Sequence, residues 1–195
     1  MANNDSSLVS VGTPLATGAI FVAPLGSTLP TDATTALSND YKCLGYASED
    51  GVTLSEESDS EQIKAWGGVT VRVANSSFSE TLTFTPMQLD VDVMQATYGE
   101  DNVELNETTG KMTVKHSVNN VAPVVLVIET IPAPDKKRRY VVPSAKLTER
   151  GDSVLNGTES DGRELTYTCQ ADGDGFSIYD YIDGFPTVST AKSHS

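Results

Sequence analysis

The chain has 195 residues, enough for one domain that buries its own core and needs no disulfide or metal to fold. Thirteen Lys and Arg stand against 27 Asp and Glu, and a net charge of −14 sets the protein against binding nucleic acid or an anionic membrane surface. Hydrophobic residues make up 38% and charged ones only 21%, so the acidity comes from scarce bases and the composition is that of a globular protein.

Met1 to Ser7 carry neither a basic nor an apolar segment, so no secretory leader is expected there. No apolar run approaches the ~18 residues of a membrane span, and the longest, Val124 to Ile128, suits a buried strand. Residues 1–17 are polar and punctuated by Gly and Pro, and read as an N-terminal arm; the main domain is expected over 18–183 and a tail over 184–195. Cys43 and Cys169 lack any paired spacing and are expected as free thiols. Asn75, Asn106 and Asn156 match glycosylation acceptors, which have no role without export.

Most of the chain reads as strand. Ile20 to Ala23 is apolar after Gly18, and a strand is expected around Val52 to Leu54. The stretch from Ser55 to Gly68 then reads as a long acidic inter-strand loop, against about two to five residues for a usual hairpin connection. It holds Glu56, Glu57, Asp59 and Glu61, the single base Lys64, Ile63, and the only Trp of the chain, Trp66. Such a loop with an aromatic anchor suggests an interface element. Val69, Val71 and Val73 alternate with Thr70 and Arg72 in a first strand. After Asn75-Ser76-Ser77, Phe78, Leu82 and Phe84 alternate with Ser79, Thr81 and Thr83 in a second.

A helix follows. Thr85-Pro86-Met87-Gln88 has the spacing of a capping box with Pro at the first helical position. Leu89, Val93 and Ala96 share one face, Val91, Met94 and Tyr98 widen it, and Gly99 suits a C-terminal cap, which predicts about three turns. Beyond it, Met112, Val114 and His116 alternate with Thr113 and Lys115. Val124 to Ile128 predicts a strand covered on both sides. Pro132 to Asp135 turns the chain into Arg139 to Val142, and Leu165, Tyr167 and Cys169 share the face of one more strand. The expected fold is therefore mainly β, a β-sandwich or half-barrel with one flanking α-helix.

The residues offer little for catalysis. His194 lies in the tail and His116 on a strand beside Lys115, with no nucleophile motif to frame either. Asp172-Gly173-Asp174-Gly175 invites a calcium loop, but the twelfth position falls on Tyr181 where a Glu is needed, and a turn is the better reading. Asp90 and Asp92 do not share a helical face and suit the helix start. No Gly-rich phosphate loop opens a helix, so no enzyme, cofactor or metal is expected. Lys136, Lys137, Arg138 and Arg139 form the one basic run, which reads as an exposed turn and a partner for an acidic surface on another copy.

The stretch Gly45-Tyr46-Ala47-Ser48-Glu49-Asp50-Gly51, continuing to Ile63-Lys64-Ala65-Trp66-Gly67-Gly68, resembles a known family. The family is the major tail (tail tube) proteins of long-tailed, non-contractile phages of Gram-positive, especially actinobacterial, hosts. Thr17 to Gly26, Ala96 to Val103 and Val141 to Lys146 extend the resemblance over about residues 17 to 172. It implies hexameric rings that stack into a virion tube and conduct the genome past an acidic wall. The implied partners are further copies of the chain and the tape-measure, tail-terminator and distal-tail proteins, with DNA as passing cargo and no membrane. Assembly would take place in the host cytoplasm. On this reading Glu56, Glu57, Asp59, Glu61, Ile63 and Trp66 contact a neighbouring subunit or ring, and Lys136 to Arg139 meet an acidic patch of the adjacent one. The other class considered is a surface-displayed β-sandwich module binding a carbohydrate or a protein.

Overall fold

The computed structural model describes residues 9–15, 18–117, 121–158 and 160–184. The remainder of the expected arm and tail, His194 included, lies outside the described residues. In chain order the strands are β1 (Thr13–Pro14), β2 (Ile20–Pro24), β3 (Lys42–Cys43), β4 (Ala47–Lys64) and β5 (Thr70–Pro86). After α1 (Val91–Tyr98) come β6 (Val103–Asn106), β7 (Lys111–Val114), β8 (Val124–Ile131), β9 (Lys137–Arg150), β10 (Leu165–Gln170) and β11 (Tyr179–Asp183). One antiparallel sheet runs β3-β2-β8-β9-β10-β5-β4, with β1 added on β8 and β11 on β9, and β6 and β7 pair separately. The fold is mainly β with a single α-helix among the described residues, as the alternation predicts.

The apolar run in β8 sits where it must. Val125 and Val127 point to one side and Leu126 and Ile128 to the other, and all four are buried. Two cores result. Leu126 and Ile128 join Leu82, Phe84, Val142, Leu147, Leu165 and Tyr167, capped by Val93 and Ala96 of α1. Val125 and Val127 join Ala23, Tyr41 and Val141 on the opposite side, with Leu29 and Leu37 of the 25–41 segment packed against them. That segment is held by polar contacts: the Tyr41 hydroxyl donates to the Thr28 carbonyl at 2.9 Å. The Asp32 carboxylate accepts from the backbone N–H groups of Thr34 and Thr35, both at 2.6 Å.

Two expectations about element boundaries are corrected. The helix starts at Val91, one residue after Asp90, whose carboxylate accepts the Val93 N–H at 2.9 Å. Thr85 and Pro86 instead finish β5, where Pro86 pairs with Ala47 and the Met87 N–H reaches the Tyr46 carbonyl. Sheet pairing outweighs the capping-box spacing, α1 has 8 residues in place of about three turns, and Leu89 is left exposed before it. Gly99 does cap the C-terminus, at φ 92°, donating its N–H to the Gln95 carbonyl.

The second correction is larger. Ser55 to Lys64 is no loop: β4 runs without interruption from Ala47 to Lys64 and pairs with β5 down to Lys64 opposite Thr70. The two valine- and phenylalanine-bearing alternations of β5 likewise form one strand, joined through a bulge opposite Asp59 and Ser60. The reversal is confined to Ala65–Val69, where Gly67 and Gly68 take φ of 106° and 86°, values that side-chain-bearing residues adopt at a cost. Gly68 N–H donates to the Ala65 carbonyl and Ala65 N–H to Val69.

Candidate assembly site

The β4–β5 hairpin begins inside the folded body and leaves it. Near its base Leu54 faces Leu82 and Val52 faces Phe84, on the side of the first core. Farther out the same side carries Glu56 opposite Glu80 and Ser58 opposite Phe78, and then Val73 opposite Gln62. Phe78, expected in the core with Leu82 and Phe84, is exposed because the core ends before it; Val69, Val71 and Val73 are exposed as well. The other side of the hairpin bears Glu57, Asp59, Glu61 and Ile63, with Asp59 accepting from the Ser77 hydroxyl at 3.1 Å. The tip presents Trp66, at 106% relative exposure touching nothing that would shield it. All six hairpin residues singled out in the sequence thus lie on one projecting arm, ordered by strand pairing.

Behind the hairpin base, the sheet side facing away from the first core is covered with hydroxyls. Thr53 and Thr83, Ser55 and Thr81, and Thr166 and Thr168 fall there by register. Thr83 and Thr166 hydroxyls lie 3.2 Å apart and those of Thr148 and Thr168 3.1 Å apart, cross-strand pairs that satisfy one another on a polar surface.

The basic run is not one exposed turn. Arg139 is buried, pairs with Glu129, and donates to the carbonyls of Asp32 at 2.6 Å and Thr35 at 2.8 Å. Arg138 forms a two-pronged pair with Asp180 of β11 at 2.6 to 3.2 Å, and its guanidinium lies over the Tyr140 ring. That hydrogen-bonded carboxylate holds the Arg138 pKa above its ordinary value. Arg139 falls on the side of β9 that carries Val141 into the second core, and of the four cations only Lys137, at the start of the strand, is fully exposed. Arg138 and Arg139, both proposed to face another copy, are therefore occupied within this one.

A cleft missed in the sequence opens beside the hairpin base. It has a volume of about 610 Å³ and lies between the 10–15 segment and the sheet, lined by Val11, Pro14, Leu15, Ile20, Leu54 and Tyr140 among others. Part of the expected arm forms its wall, because Thr13 and Pro14 pair with Ile131 and Thr130 and the Val11 N–H donates to the Pro132 carbonyl. Nothing in residues 10–15 signals this; the wall exists only because distant β8 offers an edge there.

The remaining candidates resolve into structure. The Asp172 carboxylate turns into its own loop, accepting from the N–H groups of Asp174 and Phe176 and the Tyr179 hydroxyl. These donors, the Tyr179 hydroxyl foremost, hold its pKa below the usual carboxylate range. His116 stacks on Tyr98 with ring centroids 4.3 Å apart. No helix among the described residues is long and apolar enough to cross a membrane.

A sequence model described as phage tail tube protein matches residues 1–190. No curated protein matches the chain.

Proposed function

From the chain's membership of the phage tail tube protein family, which makes it a structural protein of the virion tail, we propose that its copies close head to tail into six-membered rings that stack into the tube of a siphophage. The carrying observation is the outer edge of β4: among the described residues this 18-residue strand pairs only with β5, and its distal half projects with exposed side chains. A long unpaired edge invites pairing with another chain, and an edge-to-edge contact that closes on itself consumes it. β3 and β1 offer short edges at the opposite end of the sheet to receive it.

Residues of the hairpin, Glu56, Glu57, Asp59, Glu61, Ile63 and Trp66, then contact a neighbouring subunit or ring. The hydroxyl-covered sheet side and the carboxylates in line with it, Glu57 and Asp59, suit a bore through which DNA slides. Such a wall offers hydrogen-bonding groups with few cations to hold phosphates by counterion release: by register that side carries Lys146, whose ammonium donates to the Val121 carbonyl, and Arg72 beside the carboxylates. Lys137 is the member of the basic run best placed to meet an acidic patch on another copy. The tape-measure, tail-terminator and distal-tail proteins are the further partners, the host is a Gram-positive bacterium, assembly takes place in its cytoplasm, and the role involves no catalysis.

Electron microscopy of the purified protein tests this directly. Six-fold rings and stacked tubes are expected, and a protein that stays a dispersed monomer at high concentration and is missing from virion tails would overturn the reading.

A further inference from the structure

We propose that Trp66 at the hairpin tip of one subunit seats in the apolar cleft between residues 10–15 and the sheet of another. This rests on the self-assembly reading above and names the receiving surface, which that reading leaves open.

Three observations lead there. The first is a mismatch within one chain. Trp66 is the only tryptophan and is fully exposed, while the 610 Å³ cleft is walled by Val11, Pro14, Leu15, Ile20, Leu54 and Tyr140. A large aromatic side chain and an apolar cleft, both open to water, lower their free energy by meeting.

The second is reach. Leu54 forms part of the cleft and also the root of the hairpin, so the extended strand from Leu54 to Lys64 carries the tip roughly 30 Å away from the cleft at its own base. The tip can therefore enter only the cleft of a second copy. Tip and cleft are different surfaces, so the contact is head to tail and repeats from copy to copy.

The third is charge. In a chain at −14 most surfaces repel a hairpin that carries Glu56, Glu57, Asp59 and Glu61. Among the described residues the cleft is lined by no carboxylate, and its one charged lining residue is Arg138. Arg138 is already paired with Asp180, so what the cleft offers an acidic arm is a lining without carboxylates rather than a free cation.

Because Trp66 is the sole tryptophan, its fluorescence reports the contact without labelling. The expected result is a solvent-exposed emission in isolated subunits and, on assembly, a blue shift with a several-fold loss of acrylamide quenching. Trp66→Ala and Val11→Glu should each raise the protein concentration needed for assembly about tenfold or more, and the double variant should be no worse than either alone. Val11 is exposed, so its variant should keep the wild-type melting curve as a monomer. As an independent trap, Ser10→Cys with Ala65→Cys in a Cys43→Ser background should give intermolecular disulfide ladders under oxidation. Tubes in which the Trp66 emission is unchanged, or a Val11→Glu protein that assembles normally without ladders in the trap variant, would overturn this contact and leave the tube reading intact. Wild-type protein that never assembles overturns both.

Discussion

The Tyr167 hydroxyl donates to the Ala96 carbonyl at 3.1 Å, across 71 positions of sequence, and so ties the last turn of α1 to the middle of β10. Ala96 is in the final turn of the helix, where carbonyls have no partner in the helix itself. Its neighbours are also served from outside the regular ladder, Gln95 by the Gly99 N–H and Tyr98 by the Asn102 amide. Tyr167 is fully buried with its ring parallel to Phe84 at 5.7 Å, so the same side chain fills the first core and caps the element that covers it. Burial pushes its phenol well above the ordinary range, which keeps the donor proton in place. Tyr167→Phe should keep the packing and cost about 1–2 kcal/mol through the orphaned carbonyl, whereas Tyr167→Ala should cost about 3–5 kcal/mol. Denaturant unfolding of monomeric protein separates the two.

Arg139 performs the corresponding task on the other side of the sheet. Its guanidinium links Glu129 of β8 to two carbonyls of the 25–41 segment, which has no regular structure of its own. Arg139→Met should destabilise by about 3–5 kcal/mol, because it leaves a half-buried carboxylate and two carbonyls without their donor. Adding Glu129→Gln should recover part of that loss by removing the uncompensated charge. Limited proteolysis should show cleavage within 25–41 rising in the single variant and falling back in the double.

The two thiols should differ sharply. Cys169 is buried in the first core, and burial, with Glu80 nearby, pushes its pKa up to about 12. The thiolate is the reactive species, so at pH 8 a colorimetric disulfide reagent should modify no more than one thiol per folded chain, at Cys43, and two in denaturant. Rapid modification of Cys169 in folded monomer would contradict the burial of β10.

What was legible before the fold was known follows a physical line. Strands whose residues are buried announced themselves: Val124 to Ile128 is covered on both sides and reads as a continuous apolar run, while Leu165, Tyr167 and Cys169 alternate because one side of β10 is buried. The distal half of β4 gave no such signal, since a strand that buries nothing has no reason to alternate, and Ser, Glu and Asp there mimic a loop. The Gly67-Gly68 reversal was the remaining clue to a hairpin. Arg139 was read by its neighbours as part of a basic run; its burial depends on Glu129 and on the 25–41 segment, neither of which is near it in sequence. The cleft was invisible for the same reason, being made by β1 meeting β8.

The 172–179 turn should show a coupled titration. The Asp172 carboxylate that accepts from the Tyr179 hydroxyl raises the phenol pKa to about 12. A folded value above the ordinary one near ~10 means that this bond adds stability in full below about pH 10 and that the contribution is lost as pH rises through the folded value. Asp172 has the opposite sign: its lowered pKa gives a contribution present above the ordinary carboxylate value and lost as pH falls through the folded one. In Asp172→Asn the acceptor loses its charge, so ultraviolet absorbance titration should show one additional tyrosine ionising near pH 10. An unchanged titration would mean that the bond does not persist in solution.

The projecting hairpin should be separable from folding. From Ser58 to Phe78 no described side chain is buried, while the core contacts of the same strands begin only at Val52, Leu82 and Phe84. Joining Glu57 to Ser79 through an Asn-Gly turn respects the register, since these two residues pair directly. The shortened protein should melt within a few degrees of the wild type, because exposed strand residues add little net burial and a two-residue turn closes a shorter loop. Its assembly should nevertheless fail, since Asp59, Glu61, Ile63 and Trp66 are removed together with the distal edge of β4. Equal melting with lost tubes separates an assembly arm from a structural one; normal tubes from the shortened protein would place the contacts between copies elsewhere on the sheet.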